Sequence, residues 1–300
     1  MEKPKVIAVV GPTSSGKSDL AVNLARRFNG EVVSADSRQV YKGLNIGSGK
    51  ITKREMKGVP HHLLDVASPK STFTVSKYKK ESTKAINKII KRGKVPIICG
   101  GTGFYVDAVL YNWPIPPVKA DIKLRAKLHL QSTEKLFETL QKLDPERSNN
   151  IDRHNKVRLV RALEIIKTTG AAVPHFKLFD LKTSSYEVLK LGLRPKEKLL
   201  KEKIKTRLLK RIKLGMVREV KNLKASGVSS RKLESFGLEY RYVNRFLEGQ
   251  ISKAQMVAEL TSQINHYAKR QMTWFKRDKN TIWLDTPGKA FSKVQGFLCL

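Results

Sequence analysis

The stretch Lys5-Val6-Ile7-Ala8-Val9-Val10-Gly11-Pro12-Thr13-Ser14-Ser15-Gly16-Lys17-Ser18 decides the fold. After Lys5 its first part is apolar and β-branched, the composition of a strand buried on both faces of a parallel sheet. From Ser18 to Phe28 the period changes. Leu20, Ala21, Leu24, Ala25 and Phe28 recur at helical spacing. Gly11–Ser18 between them completes the pattern G-x-x-x-x-G-K-[ST] in the strand–turn–helix setting that motif requires. The glycines let backbone N–H groups turn inward around an anion, and the helix N-terminus adds partial positive charge. Lys17 is placed to reach phosphate oxygens, and the Ser18 hydroxyl to ligate Mg²⁺. Gly11, Pro12, Thr13, Ser14, Ser15, Gly16, Lys17 and Ser18 are therefore expected to hold a di- or triphosphate. The loop alone leaves kinase, NTPase and diphosphate-releasing transferase open.

Working outward, Glu31–Ala35 reads as a second strand. A helix over Lys77–Lys91 and the turn Arg92-Gly93-Lys94 lead to a third strand, Val95–Cys99. This alternation predicts an α/β fold, a P-loop NTPase-like parallel sheet flanked by helices. The prolines of Trp113-Pro114-Ile115-Pro116-Pro117 end the pattern. Asp121 to Phe179 then reads as almost wholly helical, with one apolar stripe of Leu124, Leu128, Leu136, Leu140 and Leu143 and another of Val157, Val160, Leu163 and Ile166. The expected organisation is a core of residues 1–117 and 186–300 with a helical insertion over 118–185. Glu187–Gly192 is expected to rejoin the sheet. A long basic helix over Pro195–Ala225, another over Lys253–Arg270 continuing through Trp274, and a short strand at Ile282-Trp283-Leu284-Asp285 follow.

Sixty Lys and Arg against 26 Asp and Glu give a net charge of +34. Such an excess repels itself in a compact chain, and a polyanion is the natural partner that offsets it. A lysine-biased composition without such a partner is the plain alternative. Between Arg194 and Lys224 the chain places 13 Lys or Arg against three Glu. No apolar run approaches the roughly 20 residues of a membrane span. The first residues lead straight into a strand, so no leader and a cytoplasmic location are expected. Cys99 and Cys299 are not metal-spaced and are expected to be two unpaired thiols.

The second strand ends on Asp36-Ser37-Arg38-Gln39-Val40-Tyr41. A carboxylate at this edge of a parallel sheet faces the ligand crevice. There Asp36 can bind Mg²⁺ through water, accept a proton from a nucleophile, or simply cap the next turn. Together the loop and this hexapeptide resemble the tRNA dimethylallyltransferase (tRNA isopentenyltransferase) family. Further matches follow in order: Gly47 with Lys50, where Ser48 stands for a Thr; Pro60-His61-His62-Leu63-Leu64-Asp65; and Gly100-Gly101-Thr102-Gly103-Phe104-Tyr105. After these come Arg158, Arg161, Ala162, Leu163 and Glu164, then Ala268-Lys269-Arg270-Gln271 with Thr273-Trp274-Phe275. The resemblance covers roughly residues 5 to 285. With only two cysteines there is no zinc finger of the kind eukaryotic relatives append, so the likeness is to the bacterial type. Two segments depart from the family pattern. Asp152-Arg153-His154-Asn155 stands where His-Pro-Asn is usual, and Gly237-Leu238-Glu239-Tyr240 where Gly-Tyr-Lys or Gly-Tyr-Arg is usual. Both are expected to lie outside the reaction centre.

The resemblance implies transfer of a dimethylallyl group from dimethylallyl diphosphate to N6 of adenosine 37, in the anticodon stem-loop of tRNA; Mg²⁺ is the expected cofactor, and a monomer is expected because one chain can supply the whole site. It implies Asp36 as the proton acceptor, Lys17 on the leaving diphosphate, Thr13 and Thr102 as hydrogen-bonders between the substrates, and Arg207 as a diphosphate clamp. Expected tRNA contacts are Asp36, Ser37, Arg38, Gln39, Thr102, Arg125, Arg158, Arg161, Lys269 and Arg270, with the insertion taking part. A base stacked in the anticodon loop has to be flipped to reach such a site. His61 and His62 are expected to be structural, and Trp274, Phe275 and Trp283 to be core. Three alternatives stay open: an adenylate isopentenyltransferase, a small-molecule P-loop kinase, and an NTP-switching RNA-binding protein.

Overall fold

The computed structural model describes residues 2–174, 178–286 and 288–299. Its six strands are β1 (Lys5–Val10), β2 (Gly30–Ser34), β3 (His61–His62), β4 (Val95–Gly100), β5 (Glu187–Leu193) and β6 (Thr281–Leu284). They form one sheet in the order β3-β2-β4-β1-β5-β6. Every neighbouring pair is parallel. β1 lies at the centre, and Val6 through Val10 are fully buried, as the unbroken apolar run predicts. β3 is not foreseen from sequence, because two histidines carry no strand pattern. It is held in register by Val32 and Val33 of β2.

The chain divides into two compact units, Met1–Asn112 with Phe179–Leu300, and Trp113–Leu178. In the first, the helix Lys17–Arg27 lays Leu20, Ala21 and Leu24 against Ile7, Val9, Ile97 and Leu191 of the sheet. A second core joins Val40, Tyr41 and Leu44 to Ile204, Leu208, Val220, Tyr240, Met256 and Ile264 of the later helices. That core fastens the segment after Asp36 to the basic helices. The basic stretch expected as one helix is two, Glu197–Lys213 and Met216–Ala225. They are separated at Gly215, whose φ of 100° an α-helix cannot contain. The helix Lys253–Lys276 starts at a capping box of Ser252 and Gln255.

The Trp113–Leu178 unit contains helices Ile122–His129, Thr133–Leu143, Pro145–Asn150 and Lys156–Thr169. Leu128, Leu136, Leu140, Leu159, Val160 and Leu163 form its core. Val157, assigned to a buried stripe by spacing, is 71% exposed. Two helical positions from Leu159 is about 200° of rotation, so it faces outward. Leu143, the last residue of its helix, is also exposed. Among the described residues no helix is long and apolar enough to cross a membrane.

Candidate active site

The loop after β1 is shaped by its own backbone. Gly11 has φ 152°, and a Cβ there would lie 2.9 Å from the Leu193 carbonyl oxygen. Ser14 also has positive φ, 62°, a conformation few non-glycine residues adopt. The helix Lys17–Arg27 begins after Gly16 with no side-chain cap, which leaves its orphan amides for an anion. Ser15 Oγ is buried with no hydrogen-bond partner, an orphan that a phosphate oxygen would satisfy. Lys17 Nζ donates to the Pro12 carbonyl at 3.0 Å. Burial pushes the Lys17 ammonium below its usual range; Cys99 and Asp36 oppose that, and Arg207 and Arg211 add to it. An anion bound beside Lys17 would offset this penalty.

Asp36 follows β2 directly. Its Oδ1 accepts from the backbone N–H groups of Arg38 at 2.8 Å and Gln39 at 3.3 Å, while Oδ2 accepts nothing from the described residues. The turn-capping role thus falls to one oxygen, and the other is open to a ligand. Thr102 Oγ1 accepts from the Ser37 N–H at 3.1 Å, so it supports the residue beside Asp36. It does not line the cavity described next.

That cavity, about 310 Å³, brings together Thr13, Lys17, Ser18, Asp36, Ser37, Arg38 and Gln39 from the two N-terminal motifs with Arg207 and Arg270 from distant helices. Among the described residues its cations are Lys17, Arg38, Arg207, Arg211, Arg241 and Arg270, and its carboxylates Asp36 and Glu239. Phe236, Leu238, Ile264 and Tyr267 supply apolar wall, and the Arg270 guanidinium lies 5.9 Å from the Tyr267 ring centre. Burial, then neighbouring Arg211, push Arg207 down to about 10, which leaves it a cation near neutrality. A second opening of about 630 Å³ is lined by Ser14 to Asp19 with Glu55, Lys203, Arg207 and Lys210. Lys17, Ser18 and Arg207 border both.

Several expected residues stand elsewhere. Arg125 Nε and Nη2 hold Glu164 at 2.7 and 2.8 Å, and Arg161 pairs with the same buried carboxylate. Arg158 is exposed. All three belong to the Trp113–Leu178 unit. Lys269 is exposed on a separate groove with Pro12, Arg194 and Lys276. His61 Nδ1 bonds the Val59 carbonyl, and His62 Nε2 bonds Glu31 at 2.6 Å. Phe275 is fully buried, and the Trp274 indole donates to buried Asp107 at 2.6 Å; Trp283 is half-buried.

One expectation is corrected. Gly237-Leu238-Glu239-Tyr240, expected outside the reaction centre, lines the cavity with Asp36 and Lys17 through all four residues. The core that packs Tyr240 beside Val40 and Leu44 folds this helix start inward. Sequence reading also missed Arg211, although it lies four residues after Arg207 and therefore on the same helix face. It assigned no task to Gln271, whose side chain accepts from the Thr13 N–H and donates to the Gly101 carbonyl, both at 2.8 Å.

A family model described as IPP transferase matches residues 39–278. The chain belongs to the IPP transferase family. It is 42% identical over 298 residues to the tRNA dimethylallyltransferase 2 of Shewanella sediminis, covering 98% of this chain and 97% of that one. It is 39% identical over 279 residues to the tRNA dimethylallyltransferase of Caldanaerobacter subterraneus subsp. tengcongensis, covering 91% and 89%. The crystal structure of the full-length tRNA isopentenylpyrophosphate transferase of Bacillus halodurans superposes with a TM-score of 0.73 at 34% identity, over 99% of this chain and 96% of that one. A eukaryotic dimethylallyltransferase acting on tRNA gives 0.74 at 27% identity, over 90% and 69%. The family match takes in Arg211, which no sequence motif singles out, together with Arg207, Glu239 and Gln271.

Proposed function

We infer that this protein is a tRNA dimethylallyltransferase that moves a dimethylallyl group from its diphosphate to N6 of adenosine 37 in the anticodon stem-loop. The observation that carries the reading is the single cavity in which Asp36 meets Lys17, Arg207 and Arg211. The cationic side and the uncapped loop suit a diphosphate, the apolar wall suits a prenyl chain, and Asp36 addresses the nucleophile.

In this scheme N6 attacks the allylic carbon, the carbon–oxygen bond to diphosphate breaks, and the N6 proton passes to Asp36 Oδ2. The exocyclic amine is a weak nucleophile because its lone pair is delocalised into the purine, so orientation and proton removal both matter. Charge grows on the departing oxygen, where the loop amides, Lys17 and Arg207 stabilise it. Mg²⁺ fits the site's hard oxygen donors, the Ser18 hydroxyl and the Asp36 carboxylate, which line one cavity. When bound, it would neutralise the diphosphate. A single chain supplies every group, so the proposed unit is a monomer, acting in the cytoplasm where its tRNA substrate resides.

The test is transfer of label from dimethylallyl diphosphate to tRNA, to AMP, and to a tRNA lacking the target adenine. Label in the intact tRNA alone is expected. Label in AMP but not tRNA makes the protein an adenylate isopentenyltransferase, and ATP hydrolysis without transfer makes it an NTP-driven switch.

A further inference from the structure

The segment between Leu44 and Lys50 carries no side chain that the proposed chemistry uses, yet it is heavily anchored. One carboxylate oxygen of Glu219 accepts from the N–H groups of Asn45 at 2.9 Å and Ile46 at 2.7 Å. The other accepts from the Gly47 N–H at 3.0 Å and from the Tyr240 hydroxyl at 2.8 Å. The Tyr240 oxygen in turn accepts from the Ser48 N–H at 3.1 Å. Four consecutive backbone amides are therefore satisfied by one carboxylate and one phenol. At the far end Lys50 Nζ donates to the Tyr41 carbonyl at 2.8 Å and to Asn45 Oδ1 at 3.0 Å.

What this loop presents to Arg207 and Arg211 is its carbonyls. Arg211 Nη1 donates to the Gly47 oxygen at 3.1 Å and to Glu239 at 3.2 Å. The Gly49 oxygen accepts from Gln39 Nε2 at 3.2 Å and lies 3.5 Å from Arg207 Nη2. Gly49 has φ 60°, and a Cβ there would overlap guanidinium nitrogens of both Arg211 and Arg207. The backbone at Gly49 is thus the wall against which the two arginines rest. Both arginines line the cavity; Glu219 does not.

We infer that Glu219 is a positioning residue for diphosphate binding: through the amides of Asn45, Ile46 and Gly47 it fixes the carbonyl face that aims Arg207 and Arg211 at the anion. Arg211 is then a second clamp beside Arg207, with Glu239 holding its guanidinium in place. With an amide in place of the Glu219 carboxylate one of its two acceptor oxygens becomes a donor, so at least one of the three loop amides loses its acceptor, the loop shifts, and the arginines lose their rest. This inference depends on the cavity being a diphosphate site.

Calorimetric titration with inorganic pyrophosphate, which needs no transfer chemistry, tests it on wild type and Glu219→Gln. The variant is expected to bind pyrophosphate about tenfold more weakly, the size of a lost charge-assisted hydrogen bond. KM for dimethylallyl diphosphate should rise in proportion, with kcat at saturating donor and KM for tRNA unchanged. A merely structural role would lower the folded fraction and leave KM of the folded enzyme alone. Tyr240→Phe removes one hydroxyl from the same network and should shift KM in the same direction by a smaller factor, which serves if Glu219→Gln does not fold. Wild-type pyrophosphate affinity in both variants overturns the role of Glu219. Failure of the wild type itself to bind pyrophosphate removes the diphosphate reading of the cavity, and the inference with it.

Discussion

The Thr13 N–H and Gln271 Oε1 are joined at 2.8 Å across 258 positions of sequence. The same amide, through Nε2, reaches the Gly101 carbonyl. One side chain from the helix Lys253–Lys276 thus fastens the glycine loop after β1 to the loop after β4. Gln271→Ala leaves a buried carbonyl and a loop amide without their partner, at a cost of about 1–3 kcal/mol. Urea unfolding should show that loss, and KM for dimethylallyl diphosphate should rise because Thr13 is no longer held. A variant with wild-type stability and KM removes Gln271 from loop positioning.

Asp36 allows a cleaner separation of roles. Its Oδ1 holds the turn through Arg38 and Gln39, and asparagine keeps that acceptor while losing the ability to take a proton. Asp36→Asn is therefore expected to fold and bind tRNA as the wild type does, with single-turnover transfer slowed by about 10²–10⁴. Transfer at the wild-type rate would show that the proton leaves by another route.

Much of this was legible in the chain because local rules agreed with the fold. Val6 to Val10 is apolar in every position, and Gly11–Ser18 has a fixed spacing, so β1, its loop and the next helix follow from pattern alone. Asp36 was placed by its position at a strand end. The later half of the cavity is different. Arg211, Glu239 and Gln271 reach it only because the core of Val40, Leu44, Val220, Tyr240 and Ile264 brings helices together that are far apart in sequence. No local period encodes that meeting. Val157 failed for a related reason: apolar spacing gives a face, and packing decides which face is covered.

Arg158 and Arg161, paired in the sequence as RNA contacts, should separate by experiment. Arg161 pairs with Glu164, a carboxylate with no exposed surface. Its loss leaves that charge to Arg125 and the Asp121 N–H, so Arg161→Ala is expected to destabilise the protein by about 1–3 kcal/mol. Arg158 is exposed, and the pairings of Glu164 do not include it. Arg158→Ala should leave stability unchanged, weaken tRNA binding and lower the salt slope of log K by about 0.9 for one phosphate contact. Thermal melts and tRNA titrations at several salt concentrations decide it. Unchanged tRNA binding in Arg158→Ala returns that arginine to a solvated helix face.

Glu31 sets a pH dependence. Burial alone would raise its carboxyl, but His62, Lys94 and Arg92 bond it and together hold it down at about 2, against an ordinary 4.5. Arg92 lies at 2.7 Å and Lys94 at 3.0 Å, and Glu31 is 3% exposed. The unfolded chain therefore binds this proton at a higher pH than the folded one. Stability from Glu31 is complete above about pH 4.5 and is lost as pH falls toward 2. A displacement of that size corresponds to about 3 kcal/mol. Glu31→Gln should be destabilised relative to wild type at pH 7, and the difference between the two urea midpoints should narrow as the pH is lowered from 5 to 2. A difference that stays constant over that range would mean that Glu31 does not ionise differently in the folded state, and that the His62, Arg92 and Lys94 contacts act through packing alone.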